Sequence, residues 1–452
     1  MNNLAKIRIG SGAGYAGDRI DPAIEIAEKG NVDYLVFECL AERTIALANQ
    51  AKHNNPDAGF DALLDARMLG VLPHLQDENG NNRFKIISNM GAANPRAAIQ
   101  RIQAIAQQLG LKKLKIAAVL GDDVLSKIKG RGLVLDNGLQ VDELGERLVA
   151  ANVYLGADGI VEALTQGADI VITGRVADPS LFLAPMIYEF GWDTQDWDIL
   201  AKGTAIGHLL ECAGQVTGGY FADPDVKDVP RLADLGFPIA EVNALGEAII
   251  SKVETAGGCV TLATCKEQLI YELHNPVAYK TPDVIANFAE VEFEQYAENQ
   301  VLVKGATGAA QPDTLKVTVG FFDGYIGEGQ ISYGGINAKA RAQLAQDIVL
   351  HRLKKNAVPC YDIRADLIGV NSLYGDVPDT ATDSAWEVRL RVAAHCATKA
   401  AALDVANEVE SLYTNGPYGG GGAVKSVKEV LAVGSLFIDR SEVQVQVIME
   451  EC

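Results

Sequence analysis

The chain of 452 residues is about three times the usual length of a single domain, which excludes one small module and predicts two domains, or one large domain plus a smaller one. Hydrophobic residues make up 48% and charged residues 22%, the usage of a globular protein with apolar material for substantial cores rather than of a disordered chain. Lys and Arg number 39 against 59 Asp and Glu, a formal charge of -20, so phosphate backbones and anionic membranes are repelled and nucleic acid is excluded as an expected partner.

The opening MNNLAKIRIG lacks a long apolar segment followed by a small-residue cleavage site, so no secretory signal is expected. No apolar run approaches the roughly twenty residues that a membrane helix needs. A soluble cytoplasmic protein with no membrane partner is expected. The seven cysteines (Cys39, Cys212, Cys259, Cys265, Cys360, Cys396, Cys452) are scattered, odd in number and without a CxxC pair, and read as reduced thiols.

The first half repeats one theme: a short β-branched run, a small-residue loop, then a helix-period segment, the sequence form of a parallel sheet covered by helices. Strands are predicted at Lys6 to Ile9, Val32 to Phe37, Phe84 to Ile87, Leu114 to Leu120, Asn152 to Leu155 and Asp169 to Thr173. Between them, Asp21-Pro22 opens a helix that closes at Lys29 and Gly30, and Asn94-Pro95 opens one running to Gly110. Asp178-Pro179 opens a third, SLFLAPMIYEFG, with a wide apolar face. TAIGHLLECAG is helical, and the turn chemistry from Val216 to Pro238 marks a domain transition. From about Gly257 the runs VTLAT, TLKVTVGFF, WEVRLRVAA and EVQVQVIM read as strands, interrupted by helices at Ala338 to Leu353 and Thr398 to Tyr413. The expected architecture is α/β, with a doubly wound, mostly parallel sheet in a domain over 1-240 followed by an α+β domain over 241-452.

In such a sheet ligands bind beyond the carboxyl ends of the strands, where loops meet helix amino termini. Those loops are GSGAGYAGDR (Gly10 to Arg19), ECLAER (Glu38 to Arg43), SNMGAANP (Ser88 to Pro95), GDD (Gly121 to Asp123) and TGRVADPS (Thr173 to Ser180). Gly12, Gly14 and Gly17 form GxGxxG after a strand, and Glu38 ends the next strand, which matches a dinucleotide fingerprint. Asp18, Arg19 and Asp21 intervene before the helix, however, and carboxylates beside a pyrophosphate repel it. A backbone cradle for a carboxylate or phosphate, with Arg19 as a bidentate partner, suits the residues better. A third reading gives the glycines only a tight turn.

Arg175 follows a strand, and Asp178 stands where it would cap the next helix. A guanidinium at the mouth of a parallel sheet is costly without a carboxylate partner or an anionic ligand. Asp122 and Asp123 are candidate partners, which would make the arrangement structural. Asn89 is placed to orient a carbonyl, although a turn amide bonded to its own backbone is commoner. His208, Glu211 and Cys212 share one helix face, with no further ligand at metal spacing, so packing is favoured there and no metal site is expected. No GxSxG elbow occurs, which disfavours serine hydrolase chemistry. GPYGGGG (Gly416 to Gly422) lets a backbone pass close to a ligand or a partner chain.

Taken together, the loop ending in GDR, NMGAANP, ADIVITGRVADPSLFLAP, EFGW, GHLLECAGQVTGGYF, EQLIYELHNPVAYKTPDV, GEGQISYGG, DLIGVNSL and NGPYGGGG resemble the acyclic terpene utilisation, or AtuA-like, family over nearly the whole chain. The resemblance implies a catabolic protein for branched acyl compounds handled as coenzyme A thioesters, with coenzyme A part of the substrate rather than a cofactor. It assigns no reaction and no catalytic residues.

The expected function is an enzyme acting on a small or branched carboxylic acid, or its thioester, by hydration, dehydration or isomerisation. Glu38 and Asp178 are the candidate proton-moving groups; Gly12, Gly14, Gly17, Arg19 and Arg175 hold the anion, and Asn89 polarises a carbonyl. Two alternatives stand beside it: a nicotinamide-dependent oxidoreductase using GxGxxG, and a non-catalytic subunit of a catabolic complex. A homo-oligomer is expected at this size.

Overall fold

The structure is a computed structural model that describes residues 5–375 and 385–451, so Cys452 lies outside it. Two compact units emerge, one comprising the chain up to Gly320 together with the stretch from Val433 onward, the other Phe321–Ala432. The expected boundary at 240/241 falls inside a strand.

The first unit is built on a ten-stranded mixed sheet. Its parallel centre is β1 (Lys6–Ala13), β2 (Tyr34–Phe37), β3 (Lys85–Ser88), β4 (Lys115–Leu120) and β6 (Ile170–Thr173), side by side in the order β1-β2-β3-β6-β4. The runs YLVF and IVIT are buried at every position, as expected of strands covered on both faces. Beyond β1 the sheet turns antiparallel, through β7 (Pro238–Asn243) and β8 (Ala248–Lys252) to two further strands, β11 (Glu292–Ala297) and β12 (Gln300–Lys304). β7 pairs with β1 from Lys6↔Asn243 to Gly10↔Ile239. At the other edge β18 (Gln446–Glu451), from the run EVQVQVIM, pairs antiparallel with β4, Met449 opposite Ala117.

Two strand expectations are corrected. The strand expected at Asn152 to Leu155 is β5 (Leu148–Val153), which starts earlier and lies outside the central sheet, pairing with β14 (Thr314–Gly334). VTLAT is not a strand, because Thr261 caps a helix there: its hydroxyl accepts from Thr264 N at 3.2 Å, and Thr264 Oγ1 accepts from Thr261 N at 3.0 Å. That reciprocal box satisfies two orphan donors locally and outweighs the β propensity of the threonines and valine.

Helices α1 (Asp21–Lys29), α2 (Glu42–Asn54), α3 (Leu64–Val71) and α4 (Pro95–Gln108) follow the first three strands. Asn94 caps α4 through its side chain, as its position before Pro95 predicts. The single-turn helices α5 (Leu125–Ile128) and α6 (Val141–Leu144) precede α7 (Asp158–Thr165), α8 (Asp178–Phe190), α9 (Trp197–Glu211) and α10 (Leu262–Ile270). Ile26, Leu35, Phe37, Met68, Ile86, Ile99, Ile102, Ile170 and Ile172 form one apolar core against the sheet. A small antiparallel sheet of β9 (Tyr279–Lys280), β10 (Ile285–Asn287) and β13 (Thr307–Ala309) lies in the same unit.

In the second unit β15 (Cys360–Ile368), β16 (Glu387–Cys396) and the later part of β14 pair antiparallel, with β17 (Gly420–Asp439) on the far side of β14. Helices α11 (Ala338–Lys355) and α12 (Lys399–Glu410) bury Ala342, Val349, Val405 and Val409 against Ile331, Val388 and Leu390. No helix among the described residues is long and apolar enough to cross a membrane.

Candidate active site

A cleft of about 650 Å³ opens in the first unit where the loops after β1, β2 and β6 meet the end of α9. Gly14, Asp18 and Arg19 come from the first loop, Glu38 and Leu40 from the second, and Arg175 and Asp178 from the third; Glu42, Tyr154, Glu211, Cys212 and Glu272 are among the other polar residues that line it. Parallel strands that end side by side bring residues distant in sequence to one edge, as the rule for open α/β sheets requires.

Arg175 is the centre of the cleft's charge. Its side chain is 1% exposed, yet it is spoken for: one terminal nitrogen donates to the Leu40 carbonyl, the other to Asp178 Oδ1. The guanidinium lies over the Tyr154 ring, 4.2 Å from its centroid. Pairing, a carbonyl and stacking together offset the cost of burying the charge. Nε remains buried without a partner in the protein. Asp122 does serve Arg175, but through the backbone: its Oδ2 accepts from the Arg175 amide at 2.9 Å and from Asn152 Nδ2 at 2.8 Å.

Asp178 is the first residue of α8, and its carboxylate turns back to Arg175 rather than capping the helix. Burial, joined by the charges of Glu211 and Glu42 and opposed by Arg175, pushes its pKa up to about 7. Glu38 is held by two donors to Oε1, Leu40 N at 2.7 Å and Asn89 Nδ2 at 3.0 Å. Burial and the nearby Asp178 carboxylate raise its pKa well above the usual carboxylate range, against the pull of Arg175 and these hydrogen bonds. Two carboxyl groups with raised proton affinity thus flank one buried cation.

Asn89 is fully buried and is not among the cleft-lining residues; Oδ1 accepts from Cys39 N at 2.7 Å while Nδ2 donates to Glu38. It orients Glu38, a role different from polarising a substrate carbonyl.

The glycine loop packs tightly. Gly12 belongs to β1, and a Cβ there would stand 2.5 Å from the Phe37 ring; at Gly14 it would stand 2.5 Å from the Cys212 main chain. Gly17 faces only the Tyr15 ring. The Gly14 amide, which a pyrophosphate would need, already donates to Asp18 Oδ2 at 2.9 Å. Arg67, buried completely, binds the loop from beneath: it pairs with Asp61 at 2.9 Å and donates to the carbonyls of Tyr15 and Ala16 at 3.3 and 3.0 Å. Arg19 is exposed at the cleft and donates to the Ala233 carbonyl at 3.0 Å. Of the expected site residues, Gly14, Arg19, Glu38, Arg175 and Asp178 line one cleft, whereas Gly12, Gly17 and Asn89 do not.

Sequence reasoning did not single out Tyr154, Glu42 or Arg67, or put Glu211 in the site. Tyr154 donates to Glu42 Oε1 at 2.6 Å, and Lys316 reaches the same oxygen at 3.1 Å. Burial would raise the Glu42 pKa, but the Tyr154 hydroxyl, the helix amide and the charges of Arg175 and Lys316 hold it at about 2. Glu211 Oε1 lies 2.7 Å from His208 Nδ1, and His208 Nε2 lies 3.1 Å from the Leu269 carbonyl oxygen. The spacing of HLLEC, with His208 and Glu211 on one face, was the available signal; only the fold brings that face to the cleft.

Among the described residues, no group of three or more His, Cys, Asp or Glu side chains is arranged to hold a metal ion. No curated protein and no solved structure matches the chain. Across residues 7–449, from the first strand of the cleft to the strand that closes the sheet, the chain matches the family described as acyclic terpene utilisation family protein AtuA, and it belongs to that family.

Proposed function

We propose that this protein is an acid/base enzyme acting on a small or branched carboxylic acid, or its coenzyme A thioester, by hydration, dehydration or isomerisation. The observation that carries the reading is the pair of raised carboxyl groups, Glu38 and Asp178, beside the buried Arg175. Moving water or a double bond next to a carbonyl needs one group that gives a proton and one that takes it, both poised near the working pH. Arg175 Nε–H, without a protein partner, is a donor for the substrate's carbonyl or carboxylate oxygen. Arg19 at the exposed edge adds a positive charge for a carboxylate or for the phosphates of coenzyme A. Burial raises the proton affinity of Glu38, Asp178 and Glu211, which works against the build-up of negative charge that an anion meets there.

Binding is tested by thermal shift across free acids and acyl-CoA thioesters, straight and branched. A ligand at a hundred times its Kd adds about 2.7 kcal/mol of apparent stability. At least one member of the panel is expected to raise Tm in wild type and not in Arg175→Ala. A panel that moves nothing at millimolar concentration overturns the reading.

A further inference from the structure

Glu211 ends α9 with one carboxylate oxygen accounted for and the other not. Oε1 sits 2.7 Å from His208 Nδ1, while Oε2 is buried with no hydrogen-bond partner in the protein. His208 is fixed from its far side as well. Its Nε2 lies 3.1 Å from the Leu269 carbonyl oxygen, and the ring is flanked by Tyr279 and Phe288, with centroids at 5.2 and 5.4 Å.

A carbonyl oxygen only accepts, so Nε2 carries a hydrogen. The imidazole can then exchange a proton at Nδ1 alone, and the atom facing Nδ1 is Glu211 Oε1. An ion pair built only to brace a helix gains nothing from a buried second oxygen without a donor, since such a group costs the desolvation it is not repaid for. Glu211 lines the same cleft as Glu38, Arg175 and Asp178, which makes the cleft's contents the natural source of that donor.

We infer that Glu211, positioned by His208, is a further catalytic residue of the cleft, the base that takes a proton from the substrate at Oε2. As that proton arrives, the one between Oε1 and Nδ1 settles on Nδ1. One bond to hydrogen breaks in the substrate, at the carbon beside the carbonyl, and one forms at Oε2. The electron pair stays with the substrate as an enolate, whose oxygen faces Arg175. The pair gains a single positive charge, nothing is oxidised or reduced, and the reverse steps return the proton. The inference rests on the acid/base reading above but moves the role of base to Glu211, which leaves Glu38 and Asp178 to return the proton as acids.

The groups that bear on the pair are Cys212 just past the end of α9, Arg175 in the turn after β6, Asp178 at the start of α8, Glu272 beyond α10, and Tyr279. The test uses the full chain with butyryl-CoA and 3-methylbutyryl-CoA in deuterated buffer, following loss of the α-proton signal by NMR and binding by thermal shift. Glu211→Gln is expected to bind as wild type does while exchange falls about 100-fold or more. Glu211→Asp, which keeps the acid but draws it away from His208, is expected to lose exchange in the same way. His208→Gln is expected to move the pH at which exchange is half-maximal, which a residue serving packing alone would not do. Wild-type exchange in either Glu211 variant, or an unmoved pH midpoint in His208→Gln, overturns the inference and leaves the reading of the cleft standing. A wild-type protein that does not exchange these thioesters and is not shifted by any acid or thioester of the panel overturns both.

Discussion

Glu38 and Arg175 are tied to the same residue of the turn after β2: the Leu40 N–H donates to Glu38 Oε1 at 2.7 Å, and the Leu40 carbonyl accepts from the Arg175 guanidinium. The carboxyl and the cation are therefore set against each other by main chain rather than by flexible side chains. Charges fixed in this way need no rearrangement when charge develops on a substrate, which is the condition for electrostatic preorganisation. Asn89 extends the same bracing by spanning Cys39 N and Glu38.

Glu38→Gln keeps an oxygen that can accept from Leu40 and Asn89 but removes the proton chemistry. Turnover of whichever thioester or acid the panel identifies is expected to fall about 100- to 10,000-fold. Thermal stability is expected to hold or rise above neutral pH, because an amide has no ionised form for burial to oppose. Full turnover in this variant would remove Glu38 from the mechanism.

Arg175→Ala leaves Asp178 and the Leu40 carbonyl without their donor. Asp178 is partly open to solvent, so the loss is that of stranded acceptors rather than of a fully buried charge, about 1–3 kcal/mol, read as a lower denaturant midpoint at unchanged slope. Arg175→Lys restores the charge but neither the fork nor the stacking over Tyr154, so only part of the loss is expected to return. A lysine variant as stable and active as wild type would show that a point charge suffices there.

These residues were legible in the sequence for one reason: each follows a short apolar strand, and parallel strands gather their carboxyl ends. The runs YLVF and IVIT announced buried strands, and Asn94-Pro95 and Asp178-Pro179 announced helix starts by local chemistry alone. What stayed hidden depends on distant partners. Nothing near Arg67 shows that it binds the carbonyls of Tyr15 and Ala16, and nothing near Glu211 shows that α9 ends at the cleft. The antiparallel flank from β7 to β11 was equally hidden, since alternation gives a strand its faces but not its neighbours. β5 shows the same limit: the strand expected at Asn152 to Leu155 lies at Leu148–Val153, with a partner in a different sheet.

The glycine loop separates packing from ligand binding. Gly14→Ala drives a Cβ to 2.5 Å from the Cys212 main chain, which cannot yield, so a loss of about 1–3 kcal/mol is expected. Gly17→Ala meets only the exposed Tyr15 ring, which can swing aside, and a change within about 0.5 kcal/mol is expected. A dinucleotide loop would instead lose cofactor affinity in both. Titration with NADH, followed by its fluorescence, is expected to show no change in wild type or in either variant, and saturable binding would restore the oxidoreductase alternative.

Asp122 gives the structure a pH dependence of defined sign. Burial raises its pKa to about 6, despite the donors Arg175 N and Asn152 Nδ2 that favour the ionised form. The folded state therefore holds this proton more tightly than the unfolded chain does. Its contribution to stability is complete below the ordinary aspartate range and is lost as pH rises through about 6. The shift from the model-peptide value of 3.8 corresponds to about 3 kcal/mol. Asp122→Asn retains an oxygen for the Arg175 amide but cannot ionise, so the gap in Tm between variant and wild type is expected to move in favour of the variant between pH 4 and pH 8. Parallel curves for the two proteins over that range would mean that Asp122 ionises no differently when folded, and that burial does not make its proton harder to lose.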